Sequence, residues 1–162
     1  MTTAIIGVGN IGKSVARHLV DGGERVVLAT RDESNATVPV AQDANGRLLR
    51  TLPDGQSSGC VVAGLLPAEA HFVKAFGTLG AESLASQANQ TPRTVLFYAT
   101  DDDQAAAAIE RLISAVGFDL AKAGGVDAAL RIETFGALHQ FGGLNGKALD
   151  ASQADTALAT AA

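Results

Sequence analysis

Apolar residues in this chain fall into short continuous runs separated by stretches at helical spacing, the pattern of alternating strands and helices. The first run is Ala4-Ile5-Ile6. After Gly12, Val15, Ala16, Leu19 and Val20 recur on one helix face to about Asp21, and Gly22-Gly23 supplies a left-handed C-terminal cap. Val26, Val27 and Leu28 are the run expected of a parallel strand, Arg25 to Ala29, buried on both faces. From Glu33 to about Gln56 the pattern breaks. Val38-Pro39-Val40 reads as a short extended piece, Asn45-Gly46 as a turn, and Arg47-Leu48-Leu49 as a returning hairpin strand. A complete mononucleotide-binding half needs a third strand beside the second, and none is found in this stretch.

Order resumes at Ser57. Ser57 or Ser58 caps a short helix through Leu66 that Pro67 stops, His71 to Phe76 reads as a strand, and a short helix covers about Ala81 to Ser86. Thr94 to Thr100 is a strongly apolar strand. Ile109, Leu112, Ile113 and Val116 line the clearest helix, which Gly117 ends. Phe118 to Lys122 reads as a further strand at a sheet edge, followed by a helix near Val126 to Arg131. The tail from Ala151 to Ala162 is rich in Ala and Thr and reads as a frayed helix or a disordered end. The pattern therefore predicts one α/β domain over residues 1–150 and an Ala-rich tail over 151–162.

Composition narrows the choices. The chain has 162 residues, 47% hydrophobic and 18% charged, which suits a globular domain with a real core. With six Phe, one Tyr and no Trp, that core must be built from aliphatic side chains. A net charge of −5 without clustered Lys or Arg argues against a nucleic-acid or anionic-membrane surface. The one cysteine, Cys60, forms no internal disulfide framework and reads as a small buried residue. No leader-like segment precedes the first strand and no apolar run is long enough to span a membrane, so a cytoplasmic location is expected.

The candidate chemistry sits between the first strand and the first helix. Gly7, Gly9 and Gly12 form a G-x-G-x-x-G turn in the order strand, turn, helix, which is the context a dinucleotide pyrophosphate site requires. Gly7 suits the tight turn, Gly9 the close approach of phosphate, and Gly12 the close packing of helix on strand. The second strand ends Thr30-Arg31-Asp32. Thr30 and Arg31 can donate to a 2′-phosphate and Arg31 supplies the compensating charge, which favours NADP over NAD.

Other motifs are weaker. Asp101-Asp102-Asp103 opens the clearest helix, where capping and the helix dipole explain carboxylates better than a metal does. Gly55-Gln56-Ser57-Ser58-Gly59 matches the nucleophile-elbow pattern but follows a turn rather than a strand. His18, His71 and His139 lack metal-ligand spacing. His18 reads as a partly exposed helix residue, and His139 lies in a glycine-rich apolar segment suited to lining a pocket.

With these blocks read, the chain resembles the coenzyme F-420-dependent NADP oxidoreductases, also called NADPH-dependent deazaflavin reductases. Ile6 to Gly12, Ala29-Thr30-Arg31, Leu52 to Ser58 and Val73 to Leu79 carry the resemblance. Tyr98 to Asp102 and Leu138 to Gly146 agree as well. It covers residues 1 to about 33 and about 43 to 149, and it implies a Rossmann-like domain with a mostly parallel sheet flanked by helices. Relative to the family the chain is internally shortened between its second strand and the Leu52-Pro53-Asp54 block, and it has Gly77 where members often carry Asn or His. The resemblance implies hydride transfer between NADPH and a deazaflavin of the coenzyme F-420 type. Val8, Gly9, Asn10 and Ile11 would meet the phosphates, and Thr30 with Arg31 the 2′-phosphate. Phe76, Gly77, Thr78 and Leu79, with the segment that holds His139 and Asn145, would border the second ring. No acid–base residue is obligatory for such a step, so no catalytic side chain is expected. An NADPH reductase of another acceptor, a flavin or an imine, is the nearest alternative. A non-catalytic NADP-binding module is the alternative from another class. The incomplete sheet leaves apolar surface that a second copy of the chain would cover, so a homodimer is a further expectation.

Overall fold

A computed structural model describes residues 2–6, 10–29 and 40–160 of the chain. It opens with a β-α-β unit. Strand β1 (Thr2–Ile6) pairs in parallel with β2 (Arg25–Ala29), from Thr2 opposite Arg25 to Ile6 opposite Ala29, and helix α1 (Asn10–Asp21) makes the crossover. Val15, Ala16 and Leu19 are buried, as their spacing predicts. Val20 lies one step further round the helix and is exposed. The predicted cap is present: Gly23 has φ 84°, Gly22 N–H donates to His18 O and Glu24 N–H to Leu19 O. Gly22 also permits close packing, because a Cβ there would overlap the carbonyl of Ala115 at the end of a later helix.

The irregular middle ends in a two-stranded hairpin of β3 (Val40–Gln42) and β4 (Leu48–Arg50), turned at Gly46 with φ 78°. Expectations for residues 33–39, including Val38-Pro39, lie outside the described residues. Helix α2 (Ser58–Leu65) follows, capped by Ser57, whose Oγ accepts from Cys60 N–H at 2.9 Å. Helix α3 (Ala81–Ser86) is as predicted.

A second β-α-β unit forms the centre of the molecule. Strand β5 (Val95–Ala99) pairs in parallel with β6 (Asp119–Gly124) across helix α4 (Asp103–Ala115). All five residues of β5 are buried, and their alternation feeds two cores. Leu96 and Tyr98 pack with Val15, Leu19, Leu84, Ile113 and Phe118. On the other face Val95, Phe97 and Ala99 pack with Ile132, Leu138, Leu149 and Ala154. The chain is thus an α/β protein with parallel strand pairs flanked by helices.

Four expectations change. The apolar run of β2 is not buried on both faces: Val27 is 54% exposed, because among the described residues β1 is the strand partner of β2 and nothing covers the outer face. His71 to Phe76 is not a strand. Lys74 alone forms a ladder bridge, to Ala99, and Phe76 then turns left-handed at φ 58°. Residues Val126–Ile132 form a 3₁₀ helix. The tail is the ordered helix α5 (Ala151–Thr160), with Ala154 buried and Leu158 packed beneath it. Among the described residues, no helix is long and apolar enough to cross a membrane.

Candidate functional site

Gly7, Val8 and Gly9 of the glycine turn, and Thr30 and Arg31 at the end of β2, lie outside the described residues. Immediately after the turn, α1 starts at Asn10. Asn10 is exposed, Ile11 is 36% exposed, and the first turn carries no acidic side chain. The residue before it is Gly9, which has no side chain to cap the helix. The first N–H groups of a helix have no internal partner, so this end offers donors and a positive dipole to an incoming anion. These residues fit a dinucleotide pyrophosphate. A cleft of about 380 Å³ opens here, lined by Asn10, Lys13 and Ser14 of α1 and by Ala81, Glu82 and Ala85 of α3.

A second cleft, about 500 Å³, opens at the carboxyl end of β5 between His71, Thr100, Gln104 and Val126. Its floor carries Asp101, Asp102 and Asp103. Asp102 Oδ1 accepts from Gln104 N–H and Ala105 N–H at 2.7 and 2.9 Å, and its Oδ2 meets His71 Nδ1. Those backbone bonds, Ala105 first, with the His71 contact, hold the Asp102 carboxyl below its ordinary range. The Asp101 carboxylate accepts from Val126 N–H at 3.0 Å. A helix start answered by its own carboxylates is a poor phosphate site, whatever its volume.

The segments expected to border a second ring do come together. Gln140 N–H donates to Thr78 O at 2.9 Å, and the Gln140 amide bridges Gly80 N–H (2.8 Å), Ser83 Oγ (2.8 Å) and Gly146 O (3.1 Å). Thr78 and Leu79 are buried: the Thr78 hydroxyl bonds the Phe97 backbone, and Leu79 belongs to the first core. Phe76 and Gly77 are partly exposed, and Asn145 is exposed with φ 49°. Phe141, 52% exposed, lies over Gly80, where an added Cβ would meet its ring at 2.6 Å. Gly80 and Ala81 are consecutive, one against Phe141 and the other in the α1 cleft. The start of α3 thus touches both expected half-sites: Ala81, Glu82 and Ala85 line the α1 cleft, and Gly80 and Ser83 bond Gln140.

His139 is buried at 3% exposure and holds this corner. Phe141 N–H donates to its Nδ1 at 2.9 Å, which places the neutral ring's proton on Nε2. Burial pushes its pKa down to about 4; a hydrogen bond to the Gly77 backbone opposes the shift and the charge of Lys74 adds to it.

One polar cluster carries no local sequence pattern. The carboxylate of Glu133, 1% exposed, accepts from Ser58 N–H (3.0 Å), Ser58 Oγ–H (2.7 Å) and Gly59 N–H (2.8 Å) at the start of α2. Lys74 Nζ lies 3.8 Å from the same carboxylate and donates to Ser58 Oγ at 3.4 Å. The available signal was a lone carboxylate, Glu133, directly after the apolar stretch that ends at Ile132. The elbow serine, Ser57, is buried as the α2 cap and no histidine bonds it, so the hydrolase pattern has no site behind it. Cys60 is exposed rather than buried; of α2 only Ser58 and Gly59 are buried, and the Cys60 thiol donates to Val126 O at 3.3 Å. His18 is part-buried, with Nε2 3.2 Å from Leu84 O.

No protein-family model matches the sequence, and no curated protein matches it. Solved structures do. A hypothetical protein from Sinorhizobium meliloti superposes with a TM-score of 0.69 at 21% identity, covering 93% of this chain and 96% of its own. A protein from Arthrobacter sp. FB24, provisionally named an F-420-dependent NADP reductase, gives 0.64 at 18% identity, covering 80% of this chain and 87% of its own. At these identities the likeness carries the fold, which is Rossmann-like.

Proposed function

We propose that the protein is an NADPH-dependent oxidoreductase that transfers a hydride to a deazaflavin of the coenzyme F-420 type. The observation that carries the reading is the start of α1, exposed at Asn10 and without an acidic first turn, in a cleft with α3, whose Gly80 and Ser83 bond Gln140 of the Leu138–Gly146 segment. The similar fold of a structure named for that activity supports it. NADPH would supply the hydride.

The chain's own residues have holding tasks. The N–H groups of Asn10 and Ile11 would take the pyrophosphate, and Thr30 with Arg31 the 2′-phosphate. Phe76, Gly77, Phe141 and Asn145 would border the acceptor, and neutral His139 would fix the Gly77 backbone without adding charge. Holding two rings together and excluding water is the main demand of such a step.

A reductase of a flavin or an imine is the neighbouring reading. A binding module without turnover is favoured by one observation: among the described residues no strand joins the β1–β2 pair to the β5–β6 pair. Mixing the protein with NADPH and coenzyme F-420, and following both chromophores, separates the three. Coupled loss of NADPH and F-420 absorbance supports the proposal. Oxidation of NADPH only with flavins or imines selects the neighbour, and saturable NADPH binding with no oxidation selects the module.

A further inference from the structure

We infer that Lys74 selects the hydride acceptor by charge, favouring a ring that becomes an anion on reduction and disfavouring one that enters as a cation. The inference rests on the proposed placement of the acceptor beside the Phe76–Leu79 loop.

Lys74 is fixed by its backbone. Its N–H donates to Ala99 O and its own carbonyl accepts from Ala99 N–H, both at 2.9 Å, which holds it at the carboxyl end of β5. In open α/β folds ligands bind at that end of the strands. Its side chain is 24% exposed, and its ammonium is held by Ser58 Oγ at 3.4 Å and the Glu133 carboxylate at 3.8 Å. It lies against Gly77: a Cβ added there would stand 3.6 Å from Lys74 Cε and 3.9 Å from Nζ. The missing side chain at position 77 thus leaves the ammonium beside the loop backbone.

Among the described residues, Glu133 and His139 are the titratable groups that face Lys74. Glu133 is the buried one, and its charge is already shared among the Ser58 and Gly59 donors. His139 is neutral above a pKa of about 4 and so adds no second positive charge. An ammonium has three N–H donors. Ser58 and Glu133 engage two of them, which leaves one for a further partner.

The chemistry turns this placement into selectivity. Hydride transfer breaks one C–H bond of the dihydronicotinamide and forms one new bond to hydrogen on the acceptor, moving two electrons with one hydrogen. The donor ring ends as a pyridinium. A deazaflavin or flavin ends with negative charge on its N–C=O edge, which a nearby cation stabilises. An imine reacts as the protonated iminium, a cation that Lys74 repels, and ends as an amine. An opposite charge within ~4–6 Å shifts an ionisation by about 1–3 pH units.

The test binds reduced coenzyme F-420 to the full chain and reads the ionisation of the bound ring from its absorption spectrum across pH. Lys74→Met is expected to move that ionisation up by about one unit. Lys74→Arg is expected to restore it, and NADPH affinity, by calorimetry, should stay unchanged throughout. Because Lys74→Met strands a buried carboxylate, the pair Lys74→Met with Glu133→Gln is measured beside it and should shift in the same direction. An ionisation at the same pH in every variant that still binds the ring overturns the role of Lys74 alone. A wild-type chain that binds neither NADPH nor F-420 overturns the oxidoreductase reading, and this inference with it.

Discussion

The β1-α1-β2 and β5-α4-β6 units have the same topology, and their helices begin in opposite ways. α4 begins on Asp102, whose carboxylate accepts from Gln104 and Ala105, with Asp103 in the first turn. The positive end of that helix is answered from within the chain. α1 begins behind Gly9 with exposed Asn10 and no acidic residue in its first turn, so on the proposed reading its donors meet an outside anion. Burial differs as well. β5 is covered on both faces, whereas β2 leaves Val27 54% exposed. One unit answers its own helix start, and on the proposed reading the other keeps its end for a ligand.

The largest test of this contrast is packing. Phe97→Ala is expected to cost about 3–5 kcal/mol in urea unfolding, because Phe97 is fully buried between Ile132, Leu138 and their neighbours. Val27→Thr should stay within about 0.5 kcal/mol. Similar losses at the two positions would erase the distinction between the units.

The second effect is pH-dependent. His139 has a folded-state pKa lowered from 6.5 to about 4, so across that window the unfolded chain binds the extra proton. Its contribution is present above pH 6.5 and is lost as pH falls to about 4, a total on the order of 3 kcal/mol. His139→Gln should flatten stability across that window. An unchanged slope would mean that the ring titrates in the folded state as it does in the unfolded chain.

The smaller tests exchange the two helix starts. Asp102→Ala should cost about 1 kcal/mol of stability and leave NADPH binding alone. Asn10→Asp imports an acidic first turn into α1, and it should weaken NADPH by about tenfold with little change in stability. If Asp102→Ala impaired NADPH binding instead, the ligand would belong to the other unit.

Local signals made much of this readable in advance. Gly23 at the end of α1, Ser57 before α2 and Asp102 before α4 all cap as their types and spacing predict, because a cap depends on residues within one turn. Distant pairing left no such trace. Glu133 finds its donors at Ser58 and Gly59, some 75 residues earlier, and neither periodicity nor propensity encodes that meeting. α2 is apolar nearly all round, so its sequence did not reveal that Cys60 faces outward. His71 to Phe76 has strand-like composition, yet the left-handed turn at Phe76 and the hydroxyl of Thr78 on the Phe97 backbone replace a ladder there. The two halves of the candidate site were legible as separate blocks. The contacts of α3 with both were not.

The most direct test of the open start of α1 is a calorimetric titration of the full chain with NADPH and with NADH. The prediction is one saturable site that binds NADPH at least about tenfold more tightly, a preference that Arg31→Ala removes. Equal affinity for the two nucleotides, or no binding of either, would contradict it.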